Sequence, residues 1–285
     1  MNTMVSLPPW IILDPLLQSW LREDIGHGDR TTQGLNLHHP GHADWIVKEA
    51  GVVAGLPIAG RIFSCLDPQI VFDSLVEDGN WVEPGQVIAR ISGPIAALLT
   101  GERVALNLVM RLSGISSLTR AYVNKIAKLP TKFVDTRKTT PGLRILEKYA
   151  SKIGGAINHR LGLDDAVMLK DNHIQAAGGI ALAVSQLREN IPYPLTIEVE
   201  TSQLIQIEEA IACGADIIML DNMELSFIPK AIALIRANSK QIKIEASGNI
   251  TLETIHSVAK TGVDYISSSA PVTQSKWLDI SMRME

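Results

Sequence analysis

The run Asp135-Thr136-Arg137-Lys138-Thr139-Thr140-Pro141-Gly142 sets two cations and three hydroxyls directly after the apolar pair Phe133-Val134 and before a Pro-Gly turn. A guanidinium offers a planar two-pronged donor fork and an ammonium a compact point charge, so the run suits a carboxylate or a phosphate. His159, Arg160, Lys170 and His173 extend the cationic set. So many cations near one point repel each other unless anions sit among them, which points to a small, multiply anionic substrate. A single such residue is more often a helix cap or one half of a surface pair; the set as a whole is harder to dismiss. A second set is acidic: Glu198, Glu200, Asp221 and Glu245. Glu198 and Glu200 are two apart in a strand pattern and so share a face. Carboxylates opposite a cationic cluster can hold Mg²⁺, accept hydrogen bonds from sugar hydroxyls or stabilise a developing cation. A structural ion pair between strands explains them equally well at this level. Ser247-Gly248-Asn249 and Ser267-Ser268-Ser269 add small and hydroxyl-bearing residues whose backbone N–H groups can approach a phosphate.

Those residues need a frame. From 131 onward, apolar strand-like runs alternate with helical patterns. The strands are 133–134, 166–169, 195–197, 217–220, 242–244 and 263–266, and the helices lie near 142–152, 176–189, 202–212, 224–237 and 251–261. Alternation of this kind predicts a parallel sheet. No Gly-x-Gly-x-x-Gly follows any strand, and the polar groups above fall at the C-terminal ends of six strands. Both features favour an α/β barrel, in which those ends share one mouth, over an open dinucleotide-binding sheet. The first hundred residues read differently. An amphipathic helix over 11–24 precedes short strands at 44–49, 52–54, 70–76 and 86–91. A long helical stretch then runs from Ile95 to Ile126, with an expected interruption at Ser113-Gly114.

Composition narrows the function classes. A net charge of -4 gives no global reason for a nucleic acid or anionic membrane as partner. Cys65 and Cys213 are too few and too far apart for a disulfide framework or a metal cluster. There is no basic run with an apolar stretch at the N-terminus and no segment of membrane-spanning length, so the expected location is cytoplasmic. P-loop, serine-hydrolase elbow and His-Glu-x-x-His patterns are absent from the sequence. Residues 76–93 resemble a biotinyl or lipoyl hairpin, but neither turn carries the lysine such a carrier needs, so this part is read as architecture.

At this point longer runs can be weighed together: "EDIGHGDRTT" at 23–32, "GERVALNLVMRLSGI" at 101–115, "DTRKTTPGLRILEKYA" at 135–150, "GGAINHRLGLDDAVMLKDNHI" at 154–174, "IEVE" at 197–200, "MLDNM" at 219–223, "IEASGNI" at 244–250 and "GVDYIS" at 262–267. In this order and over nearly the whole chain they resemble quinolinate phosphoribosyltransferase. The resemblance implies an N-terminal α/β sandwich over 1–112 with the tail 275–285 packed on it. It also implies an incomplete, six- to seven-stranded α/β barrel over 113–274. It implies conversion of quinolinate and phosphoribosyl pyrophosphate to nicotinate mononucleotide, pyrophosphate and CO₂ with Mg²⁺, in a homodimer whose subunits share active sites. Carried over residue by residue, Thr136, Arg137, His159, Arg160 and Lys170 fall at quinolinate-binding positions, with Arg103 delivered from the neighbouring subunit. Lys138, Glu200 and Asp221 fall around the ribose and pyrophosphate, the two carboxylates being candidate Mg²⁺ ligands. Ser247, Gly248 and Asn249, then Ser268, Ser269 and Ala270, fall in the phosphate loops. Asn249 and Ser269 stand where many relatives have glycine, and Gln274 stands where a histidine is frequent. The nearest rival, a molybdenum-transport-associated relative of the same fold, is disfavoured by "LDDAVMLKDNH" and "MLDNM".

Overall fold

The structure, a computed structural model, describes residues 5–285 and divides the chain into two compact units. Of the described residues, the first unit gathers 5–120, 145–154 and 274–285; the second holds 121–144 and 155–273. The two compact units meet at Arg120, inside the single helix Ile95–Ile126. Most of the helix Arg144–Gly154 groups with the first unit.

In the first unit, the helix Trp10–Ile25 buries Leu13, Leu17 and Leu21, one residue per turn. Asp29 then caps the short helix Arg30–Gly34: its Oδ1 accepts the N–H groups of Thr31 and Thr32, each at 3.1 Å. Part of the "EDIGHGDRTT" run is therefore a helix start. Five strands follow: β1 (Pro40–Val47), β2 (Gly51–Val52), β3 (Val71–Ser74), β4 (Trp81–Val82) and β5 (Val87–Pro94). The helix Leu56–Leu66 lies between β2 and β3 in sequence and buries Ile58, Ile62 and Phe63. The antiparallel sheet has the order β12-β1-β5-β3, where β12 (Ile280–Met284) comes from the tail. Trp45, Phe63 and Phe72 form its aromatic centre, with ring centroids 5.2–6.2 Å apart. β2 and β4 pair separately.

The helix Ile95–Ile126 is continuous, and the expected interruption at Ser113-Gly114 is not there. These small residues instead admit close neighbours. A Cβ on Gly114 would stand 1.9 Å from the Lys276 carbonyl oxygen. The Ser113 hydroxyl, fully buried, accepts the Ala54 N–H at 2.9 Å. Spacing alone cannot tell a helix break from a helix groove.

The second unit holds β6 (Lys132–Val134), β7 (Val167–Leu169), β8 (Ile197–Thr201), β9 (Ile217–Asp221), β10 (Lys243–Ser247) and β11 (Tyr265–Ser267) in one parallel sheet of order β6-β11-β10-β9-β8-β7. This is the cyclic order of an α/β barrel opened between its first two strands. A single parallel bridge joins Val134 to Ile157, so an extended segment leading to His159 and Arg160 flanks β6 beside that opening. The pattern expected as one helix over 176–189 is two, Asp171–Ala177 and Ile180–Asn190. They are separated by Gly178 and Gly179 at φ 84° and 133°, backbone that glycine reaches at little cost. At the ends of the strands opposite the polar cluster, Arg188 bonds Asp216, whose carboxylate accepts the Ile197 N–H. Arg236 bonds Asp264, whose carboxylate accepts the Ile244 N–H. The same clamp thus recurs two strands further round. Among the described residues, no helix is long and apolar enough to cross a membrane.

Candidate active site

The C-terminal strand ends of the second unit enclose one cavity of about 670 Å³, a usual size for a small-ligand site. Thr136, Arg137 and Lys138 enter it after β6, and His159 and Arg160 from the bridged segment. Lys170 follows β7, Glu200 lies in β8 and Asp221 ends β9; Glu245 and Ser247 lie in β10, and Gly248 and Asn249 follow it. Four formal cations therefore come from the strands and segment flanking the opening, and the carboxylates from the three neighbouring strands β8, β9 and β10. An anionic ligand placed between the halves meets donors on one side and oxygen atoms on the other.

Local structure explains each placement. The Lys138 N–H donates to the Thr136 hydroxyl at 3.1 Å, a side-chain turn that bends the chain directly after Arg137. The Arg137 Nε is buried and makes no hydrogen bond. Asp135, 3 % exposed, faces away from substrate duty: it accepts the His159 N–H at 2.8 Å and the Asn158 side-chain amide at 2.7 Å, tying β6 to the bridged segment. Arg160 donates to the Ala166 carbonyl at 2.8 Å. Burial, and next the Arg137 charge, lower its pKa, while Glu198 raises it. Lys170 Nζ lies 3.1 Å from Glu200 Oε2.

Beneath these groups lies an acidic pair. Glu198 and Glu245 are each 3 % exposed, and their Oε2 atoms stand 3.0 and 3.7 Å from His159 Nε2. The Oε1 atom of each has no hydrogen-bond partner. Burial, then the Glu198 charge, hold the Glu245 carboxyl above the ordinary range, and His159 opposes them.

The loop after β10 is knitted to the loop after β9. Asn249 and Asn222 both adopt left-handed backbone, each at φ 51°, and the Asn249 amide donates to Asn222 Oδ1 at 3.1 Å. A Cβ on Gly248 would stand 2.2 Å from that same Oδ1. Asparagine tolerates this conformation better than most residues.

The comparisons with known proteins agree on one family. Residues 29–113 match the quinolinate phosphoribosyl transferase N-terminal domain and residues 115–283 the C-terminal domain of the same enzyme. The chain is 62 % identical over 281 residues, 99 % of its length and 95 % of the relative's, to a probable nicotinate-nucleotide pyrophosphorylase [carboxylating] of Synechocystis. This chain belongs to the quinolinate phosphoribosyl transferase family. A Bacillus subtilis relative of the same name is 46 % identical, covering 95 % of this chain and 92 % of its own. Among solved structures, the NadC of Streptococcus pyogenes has a TM-score of 0.93 at 42 % identity, covering 98 % of this chain and 99 % of that one.

Not every position that the family resemblance suggests meets this cavity. Arg103 belongs to the first unit, is exposed, and lies 3.4 Å from Glu102. Ser267 lines the cavity; among the described residues, Ser268, Ser269 and Ala270 do not. The Ser268 hydroxyl donates to the Ile250 carbonyl at 3.2 Å and accepts the Ala270 N–H at 3.2 Å. His173 accepts the Lys170 N–H at 3.1 Å as part of a helix start. Two lining residues escaped the sequence reading, Met168 and Met219, which look like ordinary strand residues; Asn222 also lines the cavity, as one of the polar residues that follow a strand.

Proposed function

We propose that this chain transfers the phosphoribosyl group of phosphoribosyl pyrophosphate to the ring nitrogen of quinolinate, giving nicotinate mononucleotide, pyrophosphate and CO₂ in NAD biosynthesis. The observation that carries the reading is the division of one cavity into a cationic half and a carboxylate half, in a chain of this family. In this reading Thr136, Arg137, His159, Arg160 and Lys170 hold the pyridine dicarboxylate, with Arg103 of the partner subunit completing the site in a homodimer. Lys138, Glu200 and Asp221 attend the ribose and pyrophosphate. Ser247, Gly248 and Asn249 with Ser268, Ser269 and Ala270 attend the phosphates.

The chemistry follows from charge. The bond from ribose C1 to pyrophosphate breaks with positive charge developing on the sugar, which preorganised carboxylates stabilise. The pyridine nitrogen bonds to C1. The resulting pyridinium draws electrons from the neighbouring C2–carboxylate bond, CO₂ leaves, and C2 takes a proton. Basic side chains that fix both carboxylates keep the ring nitrogen facing C1, a positioning effect. Glu200 and Asp221 are hard oxygen donors within one cavity and fit Mg²⁺, which is ordinarily held by one or two carboxylates together with substrate phosphates. When bound, Mg²⁺ supplies charge neutralisation for the departing pyrophosphate.

The test is direct. Purified protein with quinolinate, phosphoribosyl pyrophosphate and Mg²⁺ should release CO₂ and form nicotinate mononucleotide one for one. CO₂ release without phosphoribosyl pyrophosphate, or none at all, refutes the proposal.

A further inference from the structure

Glu198 has no place in the scheme above, yet the buried group it forms with His159 and Glu245 is costly. Burying a carboxylate is unfavourable unless its oxygens are paired, and here two carboxylates lie together with one oxygen of each unpartnered. Their side-chain atoms and the imidazole are close enough to surround an ion, all ligand atoms lying within 4.8 Å of one another. The imidazole argues otherwise. The Arg160 N–H donates to His159 Nδ1 at 2.8 Å, so Nδ1 carries a lone pair and the proton of the neutral ring sits on Nε2. A protonated Nε2 has no lone pair for a metal; it is a donor, and Glu198 Oε2 at 3.0 Å is its acceptor.

We propose that Glu198, supported by Glu245, is a positioning residue. By accepting the Nε2 proton, it completes the fixing of a tautomer that the Arg160 N–H favours, and it sets the direction of the His159 ring and, through the Nδ1 contact, the backbone of Arg160. The pair thereby sets where the quinolinate carboxylates are held. This rests on the functional reading above. Three contacts converge on two adjacent residues: Asp135 takes the His159 N–H, His159 Nδ1 takes the Arg160 N–H, and Glu198 takes the Nε2 proton. Both residues line the cavity, whereas Glu198 lies behind them. Such indirect partners orient a binding histidine without touching its ligand.

The test compares Glu198→Gln, whose amide oxygen still accepts a proton from Nε2, with Glu198→Leu, which accepts none. In ¹⁵N imidazole spectra of the full-length protein, the wild type and Glu198→Gln should show His159 protonated on Nε2 alone. Glu198→Leu should lose that single form. With loss of the contact, KM for quinolinate should rise about tenfold in Glu198→Leu and stay within about threefold in Glu198→Gln, while KM for phosphoribosyl pyrophosphate holds within about twofold in both. In a His159→Phe background, Glu198→Leu should add nothing to the quinolinate KM. An unchanged tautomer in Glu198→Leu overturns the proposal. So does a parallel loss in both KM values, kcat and melting temperature, which marks a merely structural role. If the wild type does not turn over quinolinate at all, the functional reading falls, and the spectra still decide whether Glu198 sets the ring.

Discussion

Arg137 and Lys138 are neighbours in sequence with different surroundings. Arg137 is half-buried with its Nε unpartnered, while Lys138 is exposed and follows a turn made by Thr136. A buried donor without a protein partner is a strong ligand contact in waiting, because ligand binding relieves a desolvation cost already incurred. Arg137→Ala should therefore raise KM for quinolinate about 10- to 100-fold, as expected for one lost charge-assisted contact, with a smaller change in kcat. Lys138→Ala should chiefly lower kcat. Steady-state kinetics with each substrate varied in turn separates the two; small and equal effects from both would refute the division of roles. At this scale the sequence was informative about residue type but not about pairing. Glu198 and Glu200 read as one-face neighbours, yet Glu200 meets Lys170 and Glu198 meets His159. Those partners lie far apart in the chain, and side-chain contacts across parallel strands leave no trace in local spacing.

Among the elements, the helix Arg30–Gly34 depends on its cap. Asp29 Oδ1 accepts the Thr31 and Thr32 N–H groups, and Oδ2 accepts the Thr32 and Thr100 hydroxyls. The Thr32 hydroxyl first, then its N–H, hold the Asp29 carboxyl below the ordinary range. A depressed carboxyl stabilises the fold at pH values above its unfolded pKa of about 4, and that contribution is lost as pH falls through the lower folded value. Asp29→Ala should cost about 1 kcal/mol at neutral pH, as for other cap losses. Its gap from wild type in urea unfolding should narrow below about pH 4. A gap that widens on acidification contradicts the assignment. The helix Ile95–Ile126 makes a different demand. Its apolar periodicity was legible, but the role of Gly114 was not, because only the packed tail reveals it. An alanine there cannot fit against the Lys276 carbonyl unless the tail moves. Gly114→Ala should lower the melting temperature despite alanine's better helix propensity of about 1 kcal/mol. A rise in melting temperature would show that the contact is dispensable.

For the molecule as a whole, alternation of strand and helix predicted the parallel sheet, and the family runs predicted the two-part layout. The family runs also placed the tail on the first unit, where Ala43 pairs with Met284. What stayed hidden was where the ring opens, which depends on a pairing between residues far apart in the chain, Val134 with Ile157. Deleting 280–285 should leave β1 without its β12 partner. The expected result is a lower melting temperature and faster proteolysis near residues 40–47, read by limited digestion; an unchanged pattern would mean β12 adds no protection. The β1–β12 ladder also carries a consequence in time. At roughly 5–20 residues per second, a ribosome takes some 10–50 s to travel from the end of β1 to the start of β12. Throughout that interval the nascent first unit presents β1, with Trp45 at its centre, as an unprotected edge strand of the kind that recruits foreign strands. A message cut short after β11 would thus yield a chain whose parallel sheet has all six strands but whose antiparallel sheet lacks its last one and is prone to aggregate. Quality control would meet this protein first at its oldest strand, not at its newest.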